Sequence, residues 1–318
     1  MSINVPQPLP QDPGGLSATG TDVIDDLAPG TAPTEPTRPL WRRGLEVFAE
    51  NRLALVGSVT LLVVILFCFV GPLVYHTDQI HTNLANANLA PGSGHPLGTD
   101  ADGYDILGRL MVGGQVSLEL GFAAAIVATV IGTLWGAVAG YFGGIIDAAM
   151  MRVVDAALSI PILFLLIVLA TIIRPTKITM ILVISMASWL AISRLVRGEA
   201  LSLRVREYVQ ATRAMGGGSW RIVLRHIAPN AVGTIVVNAT FQVADAILFI
   251  AYISFLGLGL SPPTTDLGGM LSNGIGYADD GYWWGIYPAG ALIVIIVIAV
   301  NFIGDALRDA FEVRLQRR

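Results

Sequence analysis

One stretch of the chain combines cationic and polar side chains with three consecutive glycines. It reads EYVQATRAMGGGSWRIVLRHIAPN and covers residues 207–230. A guanidinium group donates several N–H bonds from a planar fork, which suits carboxylates and phosphates. Arg221 and Arg225 stand one helical turn apart, so both could contact the same surface. The chemistry that this stretch favours is docking to the carboxylates of a partner or to lipid phosphates.

A second group of polar side chains lies inside an apolar block. Asn238, Gln242 and Asp245 recur at positions i, i+4 and i+7, which share one face of a helix. A carboxylate inside a membrane costs about 2.5–3.5 kcal/mol on insertion scales, so it should face a cavity or a partner. Two interpretations stay open. The face lines a transport pathway, or it forms a hydrogen-bonded seam between helices of the same chain.

Motifs for several other kinds of chemistry are absent from the sequence. The chain has a single lysine, Lys177, which is followed by Ile178. A P-loop needs Gly-Lys followed by Ser or Thr to hold phosphates, so the chain cannot be its own ATPase. The sequence has no His-Glu-x-x-His or Gly-x-Ser-x-Gly motif, and its four histidines lack zinc-like spacing. We therefore predict no catalytic residue and no metal site, and any energy must come from a partner or an ion gradient.

The residues around both groups are strongly apolar. Hydrophobic residues make up 54% of the 318-residue chain and charged residues only 13%, and the mean hydropathy is +0.67. The chain contains six apolar blocks, and most of them reach the roughly 20 residues that a helix needs to cross a bilayer. The fourth block is short and needs residues 193–196 to reach that length. The blocks are residues 53–75, 118–142, 153–173, 178–192, 231–256 and 285–303. We predict an all-α integral membrane protein with six transmembrane helices.

The distribution of basic residues predicts the orientation. Seven arginines lie in residues 193–230, whereas residues 257–284 contain none. Loops rich in arginine stay in the cytoplasm, so both termini and the arginine-rich stretch should be cytoplasmic. The proline-rich segment 1–40 should be a disordered tail. The other predicted segments are an amphipathic interfacial helix at 41–52, a first span at 53–75, an extracytoplasmic loop at 76–117, a transmembrane core at 118–309 with a cytoplasmic loop at 197–230, and a cytoplasmic C-terminus at 310–318.

The arginine-rich stretch should fold as two short helices joined by a glycine turn. Residues 208–215 are good helix formers, and Gly216 begins the three glycines that end this helix. Ser219 offers an N-cap for a second helix over residues 220–227. The face of the first helix that could approach another protein carries Tyr208, Ala211 and Met215.

Several motifs closely resemble those of ABC-importer permease subunits. The tripeptide Gln-Ala-Thr at 210–212 stands where the cytoplasmic EAA loop of that family has Glu-Ala-Ala, and Gly216 follows after three residues. His-Ile-Ala-Pro at 226–229 stands where Ile-x-Leu-Pro is usual. The segments HPLGTDADGYDILGRLMVGGQVSL, NRLALVG, SFLGLGLSPP and GDALRDAFEVRL resemble further motifs of the C-type dipeptide and oligopeptide permeases. The resemblance extends over about residues 41–318.

The resemblance implies a type I ABC-importer permease fold and a role in peptide uptake. A B-type permease and this C-type subunit would form one pathway within membrane lipid, and two partner ATPases that bind ATP and Mg would drive it. An extracytoplasmic binding protein would deliver the substrate, and this chain itself would bind no cofactor and no nucleic acid. The first short helix would be the coupling helix, seated in a groove of an ATPase. The residues that the resemblance places in this contact are Tyr208, Gln210, Ala211, Arg213, Met215, Gly216, Arg221 and Arg225.

Other functions stay open at this point. Permeases for nickel or another small solute share the same motifs, so the motifs do not decide the substrate. An ion-coupled secondary transporter is the stronger alternative from a different class, and an intramembrane enzyme is the weaker one. An ABC permease requires stable association with two ATPases and ATP-dependent uptake, whereas a gradient-driven transporter would work alone in proteoliposomes.

Overall fold

The structure, a computed structural model, describes residues 48–315, which are mostly helical. The predicted tail at 1–40 and most of the predicted interfacial helix at 41–52 lie outside the described residues. Within the described range the α-helices are, in chain order, α1 (Arg52–Val74), α2 (Ile106–Phe142), α3 (Gly144–Leu158), α4 (Ile162–Ile172), α5 (Lys177–Leu203), α6 (Glu207–Ala214), α7 (Ser219–Ile222), α8 (Val232–Phe255), α9 (Leu267–Ile275) and α10 (Tyr287–Leu315).

Five of these helices, α1, α2, α5, α8 and α10, are long and apolar enough to cross a membrane. The pair α3 and α4 adds a sixth span if its two arms are counted together, but these arms meet at an angle of 83°. The prediction of one continuous helix over 153–173 is therefore wrong. The chain bends before Pro161, which lacks an N–H group and disfavours helical geometry at the preceding residue.

Two predicted boundaries also need correction. Helix α2 begins at Ile106, so the preceding loop ends well before residue 117. The side chain of Asp105 caps this helix by accepting a 2.8 Å hydrogen bond from the N–H of Gly108. Gly113 and Gly114, near the start of this helix, lower its helix propensity. They also leave space that the side chains of Met270 and Cys68 fill in the folded protein. At the other end of the chain, α10 continues to Leu315, so the predicted cytoplasmic segment from residue 310 begins within this helix.

Helix α2 lies at the centre of the bundle and packs closely against α5. Gly132, Gly136 and Gly140 form a stripe on α2, one turn apart, that faces α5. A Cβ atom at Gly132 would lie 2.8 Å from the carbonyl oxygen of Trp189, and one at Gly140 would lie 2.6 Å from the Cβ of Ala200. Small residues thus let the two backbones touch, as is common between membrane helices.

The helices run between two distinct ends of the bundle. We call the end formed by residues 75–105 and 256–286 the loop end. We call the opposite end, formed by residue 143 and residues 203–231, the arginine end. Helix α1 begins at the arginine end and α10 finishes there, because Gly57 of α1 packs on Ala299 and Gly233 of α8 packs on Phe311. The start of α1 and the end of α10 therefore lie at the same end of the bundle.

Candidate functional site

The arginine end contains the predicted pair of short helices. Helix α6 ends just before Gly216, whose φ of +79° is a conformation that glycine adopts without strain. The predicted N-cap at Ser219 is wrong: Gly218 occupies that position, in an extended conformation and without a side-chain cap. After α7 the chain makes a π-helical turn over Val223–Ile227, in which the N–H of Ala228 bonds to the carbonyl of Val223 at 2.9 Å.

Helix α6 presents one face to solvent and one to the bundle. Val209 is buried, whereas Tyr208 and Met215 are 41% and 81% exposed, and Ala211 is exposed beside them. Arg213 lies on the side of Val209, with its guanidinium 5.4 Å from the centre of the Tyr141 ring. Arg213 is exposed but lies on a different side of α6 from Tyr208, Ala211 and Met215, although the resemblance placed all four in the same contact.

The two short helices are firmly attached to the long ones. Val209 and the buried side chains of α7 and the π turn, such as Ile222 and Ile227, form one hydrophobic cluster with Ala137 of α2 and Val196 of α5. Fully buried aliphatic side chains contribute about 1.5–3 kcal/mol each. A force applied to the exposed face of α6 would therefore reach α2 and α5 directly.

Two ion pairs tie the bent segment to α5. Arg197 forms a bidentate pair with Asp147, with distances of 2.5 and 2.7 Å, and Asp147 is only 8% exposed. Arg194 pairs with Asp155 at 2.5 Å, but both side chains are about half exposed. Sequence reasoning missed these partners, although the aspartates at i and i+8 share one helical face and the arginines at i and i+3 share another.

Arg221 and Arg225, the other predicted docking cations, are exposed on α7 and the π turn. Neither forms an ion pair with any residue of the described range. Gln210 is also exposed and donates its amide to the carbonyl oxygen of Val205 at 3.0 Å. The predicted docking residues thus lie at one end of the molecule, and most of them face outward.

The structure divides the predicted polar face of α8. Asp245 is exposed and forms no hydrogen bond or ion pair within residues 48–315, while Asn238 is half-buried and bonds to the carbonyl of Thr234 at 2.8 Å. Gln242 points about 60° away around the helix, and it is buried. Tyr252, which sequence reasoning missed, lies seven residues after Asp245 on the same side and is 48% exposed.

At the loop end, Asp105 joins the loop to the bundle. Its carboxylate accepts hydrogen bonds from the hydroxyl of Tyr75 at 3.0 Å and from the N–H of Gly108, and it lies 2.9 Å from Nδ1 of His95. The contacts connect three separate parts of the chain around one buried carboxylate. Such a network fixes the loop because a buried charge is costly without partners.

Arg109 and Asp266 are further buried charges at this end. The Arg109 side chain is 3% exposed, lies 3.8 Å above the ring of Tyr104 and donates to the carbonyl oxygen of Pro263 at 3.1 Å. Asp266 accepts from the hydroxyl of Ser254 at 2.8 Å and caps α9 through two backbone N–H groups. Burial raises the pKa of the Asp266 carboxyl, and those hydrogen bonds oppose the shift. Among the described residues there is no group of three or more metal-ligating side chains that could hold an ion.

Sequence comparison identifies similar proteins over almost the whole described chain. The family described as "binding-protein-dependent transport system inner membrane component" matches residues 132–317, and the N-terminal transmembrane domain of oligopeptide transport permease C matches residues 39–91. The oligopeptide transport system permease protein OppC of Bacillus subtilis (strain 168) is 36% identical over 278 residues, which are 87% of this chain and 91% of that protein. OppC of Escherichia coli (strain K12) is 40% identical over 277 residues, 86% of this chain and 91% of that one. The dipeptide transport system permease protein DppC of Bacillus subtilis is 34% identical over 281 residues, 88% of this chain and 87% of that one.

A solved structure shows the same fold. The MetNI methionine ABC transporter, in an inward-facing conformation, contains a chain that matches with a TM-score of 0.52 and 23% sequence identity. The match covers 64% of this chain and 96% of that chain. The predicted all-α fold of the type found in ABC-importer permeases is confirmed.

Proposed function

The chain belongs to the family of binding-protein-dependent transport system inner membrane components, and from this membership we propose that it is a permease subunit for di- or oligopeptide uptake. The observation that carries the peptide proposal is the 34–40% identity to oligopeptide and dipeptide permeases over nearly the whole of both chains. The long apolar helices supply the membrane-spanning part that such a subunit needs. The chain contributes the pathway and no hydrolytic chemistry of its own.

The energy comes from partner subunits. We propose a complex of this chain with a second, B-type permease, two ATPases that bind ATP and Mg, and an extracytoplasmic binding protein. Two features support this arrangement: the sequence lacks a P-loop, and the family description itself names dependence on a binding protein. The arginine end then faces the cytoplasm with both termini, which agrees with the concentration of arginine at that end.

Helix α6 is the proposed coupling helix. Its exposed face, formed by Tyr208, Ala211 and Met215, would enter a groove on an ATPase, with Gln210 at its edge. Gly216 sets the turn to α7, where exposed Arg221 and Arg225 would meet acidic side chains of the same partner. The cluster that joins α6 and α7 to α2 and α5 would carry ATPase movements into the spans. The switch between inward- and outward-facing states is then a two-state change biased by nucleotide.

The pathway in this proposal passes the exposed side of α8. Asp245 supports it, because an exposed carboxylate in an apolar span should face a cavity or a partner rather than lipid. Asn238 lies two turns away on the same side, and Gln242 supports the helix from within the bundle. The carboxylate would contact the amino group of a peptide. Normal transport by both Asp245→Asn and Asp245→Ala would remove Asp245 from the pathway.

Reconstitution tests the whole proposal. The chain is expressed with its companion permease and ATPases, purified through a tag on this chain, and placed in proteoliposomes with the binding protein. We expect the ATPases to co-purify, and uptake of a labelled peptide to require ATP and to survive collapse of ion gradients. Uptake by the chain alone, driven by an imposed gradient, would contradict the proposal. Transport of Ni²⁺ without peptide transport would keep the ATP-driven mechanism and replace the substrate.

A further inference from the structure

A cavity lies at the arginine end, between the end of α2 and the coupling helix α6. Its volume is about 490 Å³. The residues that line it are Tyr141, Phe142, Arg204, Val205, Gln210, Arg213 and Ala214. Two arginines therefore face one cavity that contains no acidic residue in its lining. The proposed coupling contact does not explain this arrangement, because the cavity is on the bundle side of α6.

The first arginine is held in place by the backbone of α2. Arg204 donates from Nη1 to the carbonyl oxygen of Gly140 at 3.2 Å. Gly143, with a φ of +65°, ends α2 next to this guanidinium, and a Cβ atom there would collide with Nη1 of Arg204. The glycine leaves the space that the guanidinium occupies. The Arg204 guanidinium uses one N–H group in its bond to Gly140, and its other N–H groups remain for a ligand.

The second arginine is held by an aromatic ring. Arg213 lies over the buried ring of Tyr141 at 5.4 Å, which directs it toward the cavity. Neither Arg204 nor Arg213 forms an ion pair with a described residue, whereas Arg194 and Arg197 on α5 are both paired with aspartates. Two guanidinium groups that line one space and have no acidic partner among the described residues favour an oxyanion ligand.

The surroundings of the cavity indicate where that oxyanion comes from. Helices α2 and α5 both end beside it, at Phe142 and Leu203. Leu203 lies about two turns past the predicted end of the fourth span at residue 196, so the cavity lies just outside the hydrocarbon core, on the head-group side. Phe142 and Val205 are 43% and 61% exposed on its rim. Basic pockets between membrane helices bind phospholipid head groups. An apolar rim beside two cations suits a phosphate that carries an acyl chain better than a free ion.

We propose that this cavity binds the phosphate of an anionic membrane lipid, with Arg204 and Arg213 as its ligands. The lipid would lie between α2 and α6, where it would stiffen the attachment of the coupling helix to the bundle. This proposal goes beyond peptide transport and holds whatever solute the transporter carries. Its test reads lipid binding directly, so it can fail while the transport function stands.

The experiment uses the purified complete transporter and native mass spectrometry. The complex is equilibrated with phosphatidylcholine vesicles that contain or lack phosphatidylglycerol, and the retained lipid is counted. We expect preferential retention of phosphatidylglycerol, and Arg213→Gln to weaken it about fivefold, since one basic residue near an anionic surface contributes about that factor. Arg213→Lys keeps the charge and should keep most of the binding. Inorganic phosphate in millimolar excess should not displace the lipid.

Arg206→Gln is the matched control, because Arg206 is exposed two residues after Arg204 and does not line the cavity. It should retain phosphatidylglycerol as the unmodified protein does. If Arg206→Gln and Arg213→Gln lost phosphatidylglycerol equally, the lipid would be held by general surface charge, and the proposed site would be wrong. Displacement by free phosphate would overturn the lipid as its ligand. Loss of ATPase association by Arg213→Gln with unchanged lipid retention would assign the arginine to an acidic side chain of the ATPase instead.

Discussion

The loop end and the arginine end use charged side chains in opposite ways. At the loop end, Arg109 and Asp266 are no more than 3% exposed, and each is bound within the chain. At the arginine end, Arg213, Arg221 and Arg225 are exposed, and none forms an ion pair within residues 48–315. The same kinds of side chain thus belong to the fold at one end and remain available to other molecules at the opposite end.

This difference has a physical origin. A buried charge without partners costs several kcal/mol, so a chain that buries one must supply its partners. An exposed guanidinium keeps its hydration and needs no partner in its own chain. Substitutions at the loop end should therefore act mainly on folding, and substitutions at the arginine end should act mainly on association and transport.

Asp266→Ala should produce the largest loss of stability. The change removes the N-cap of α9 and leaves the buried hydroxyl of Ser254 and the N–H groups of Gly268 and Gly269 without their acceptor. We expect the free energy of unfolding to fall by about 2–4 kcal/mol. Thermal unfolding of the purified protein in detergent measures this effect.

Ser254→Ala is the control at the same contact. It removes one donor to a carboxylate that keeps its two backbone N–H partners, so the loss should be about 1 kcal/mol. If Asp266→Ala were as stable as the unmodified protein but defective in transport, the loop end would be a functional surface. The proposed division, with structural charges at the loop end and available charges at the arginine end, would then be wrong.

Asp147→Ala should come next and lies at the arginine end. Asp147 is the buried partner of Arg197, so by the same logic it should behave like a loop-end residue. We expect a stability loss of about 1–2 kcal/mol, reduced from the value for a fully buried pair because Arg197 is about one-third exposed. The charge swap Asp147→Arg with Arg197→Asp should recover part of it.

Asp155→Ala is the matched test of exposure. It removes the partner of Arg194 on the same two helices, but that pair is about half exposed on both sides. We expect a loss below about 1 kcal/mol. Equal losses for the two aspartates would show that burial does not separate structural from available charges in this protein.

Ala211→Glu should separate transport from stability. Ala211 is exposed on α6, so the folded chain can accept a larger side chain there with a stability change within about 0.5 kcal/mol. A carboxylate would not fit a groove that accepts a methyl group, so ATP-driven uptake should fall at least about tenfold. Ala211→Ser keeps the small volume and should keep uptake. Unchanged uptake by Ala211→Glu would remove the exposed face of α6 from the coupling contact.

The spans and the helix–turn–helix could be predicted from the sequence because both depend on the residue types of a short local segment. Apolar blocks fix the length of a span, and three glycines fix the end of a helix. The 83° bend before Pro161 was not predicted, although the proline is a local signal for the end of a helix, because the span was assigned from its apolar length alone. Likewise, the start of α2 was placed too late, because its early glycines weaken a helix until tertiary neighbours fill the space beside them.

The candidate site was predictable as a set of residues but not as an arrangement. The resemblance grouped Arg213 with Tyr208 and Met215, and only the position of Tyr141 shows that the guanidinium lies on the other side of α6, toward the bundle. Spacing also grouped Gln242 with Asp245, although about 60° of rotation around α8 separates a buried side chain from an exposed one. Which side of a helix is covered depends on its neighbours, and these are distant in sequence.

The smallest predicted effect is a pH dependence that originates at the loop end. Burial raises the pKa of the Asp100 carboxyl, against the hydrogen bond from the N–H of Tyr104 and the charge of Arg109. The folded state therefore holds this proton more tightly than the unfolded state, so the contribution is complete below the unfolded pKa of about 4. It is lost as the pH rises through the raised pKa. Stability should thus fall with rising pH there, by less than about 1.4 kcal/mol per pH unit for one proton.

Thermal unfolding between about pH 4 and pH 7 measures this slope, with Asp100→Asn as the variant. The asparagine keeps an oxygen that can accept the N–H bonds of Asp102 and Tyr104 but cannot titrate, so the slope should become smaller. Asp280→Asn is the control, since Asp280 is exposed at the same end and is not among the charges that act on Asp100, so it should leave the slope unchanged. Arginine stays protonated throughout this range, so neutralising Arg221 or Arg225 should not change the slope either. If Asp100→Asn left the slope intact, this partly buried carboxylate would not couple folding to pH, and the loop end would lose this distinction from the arginine end.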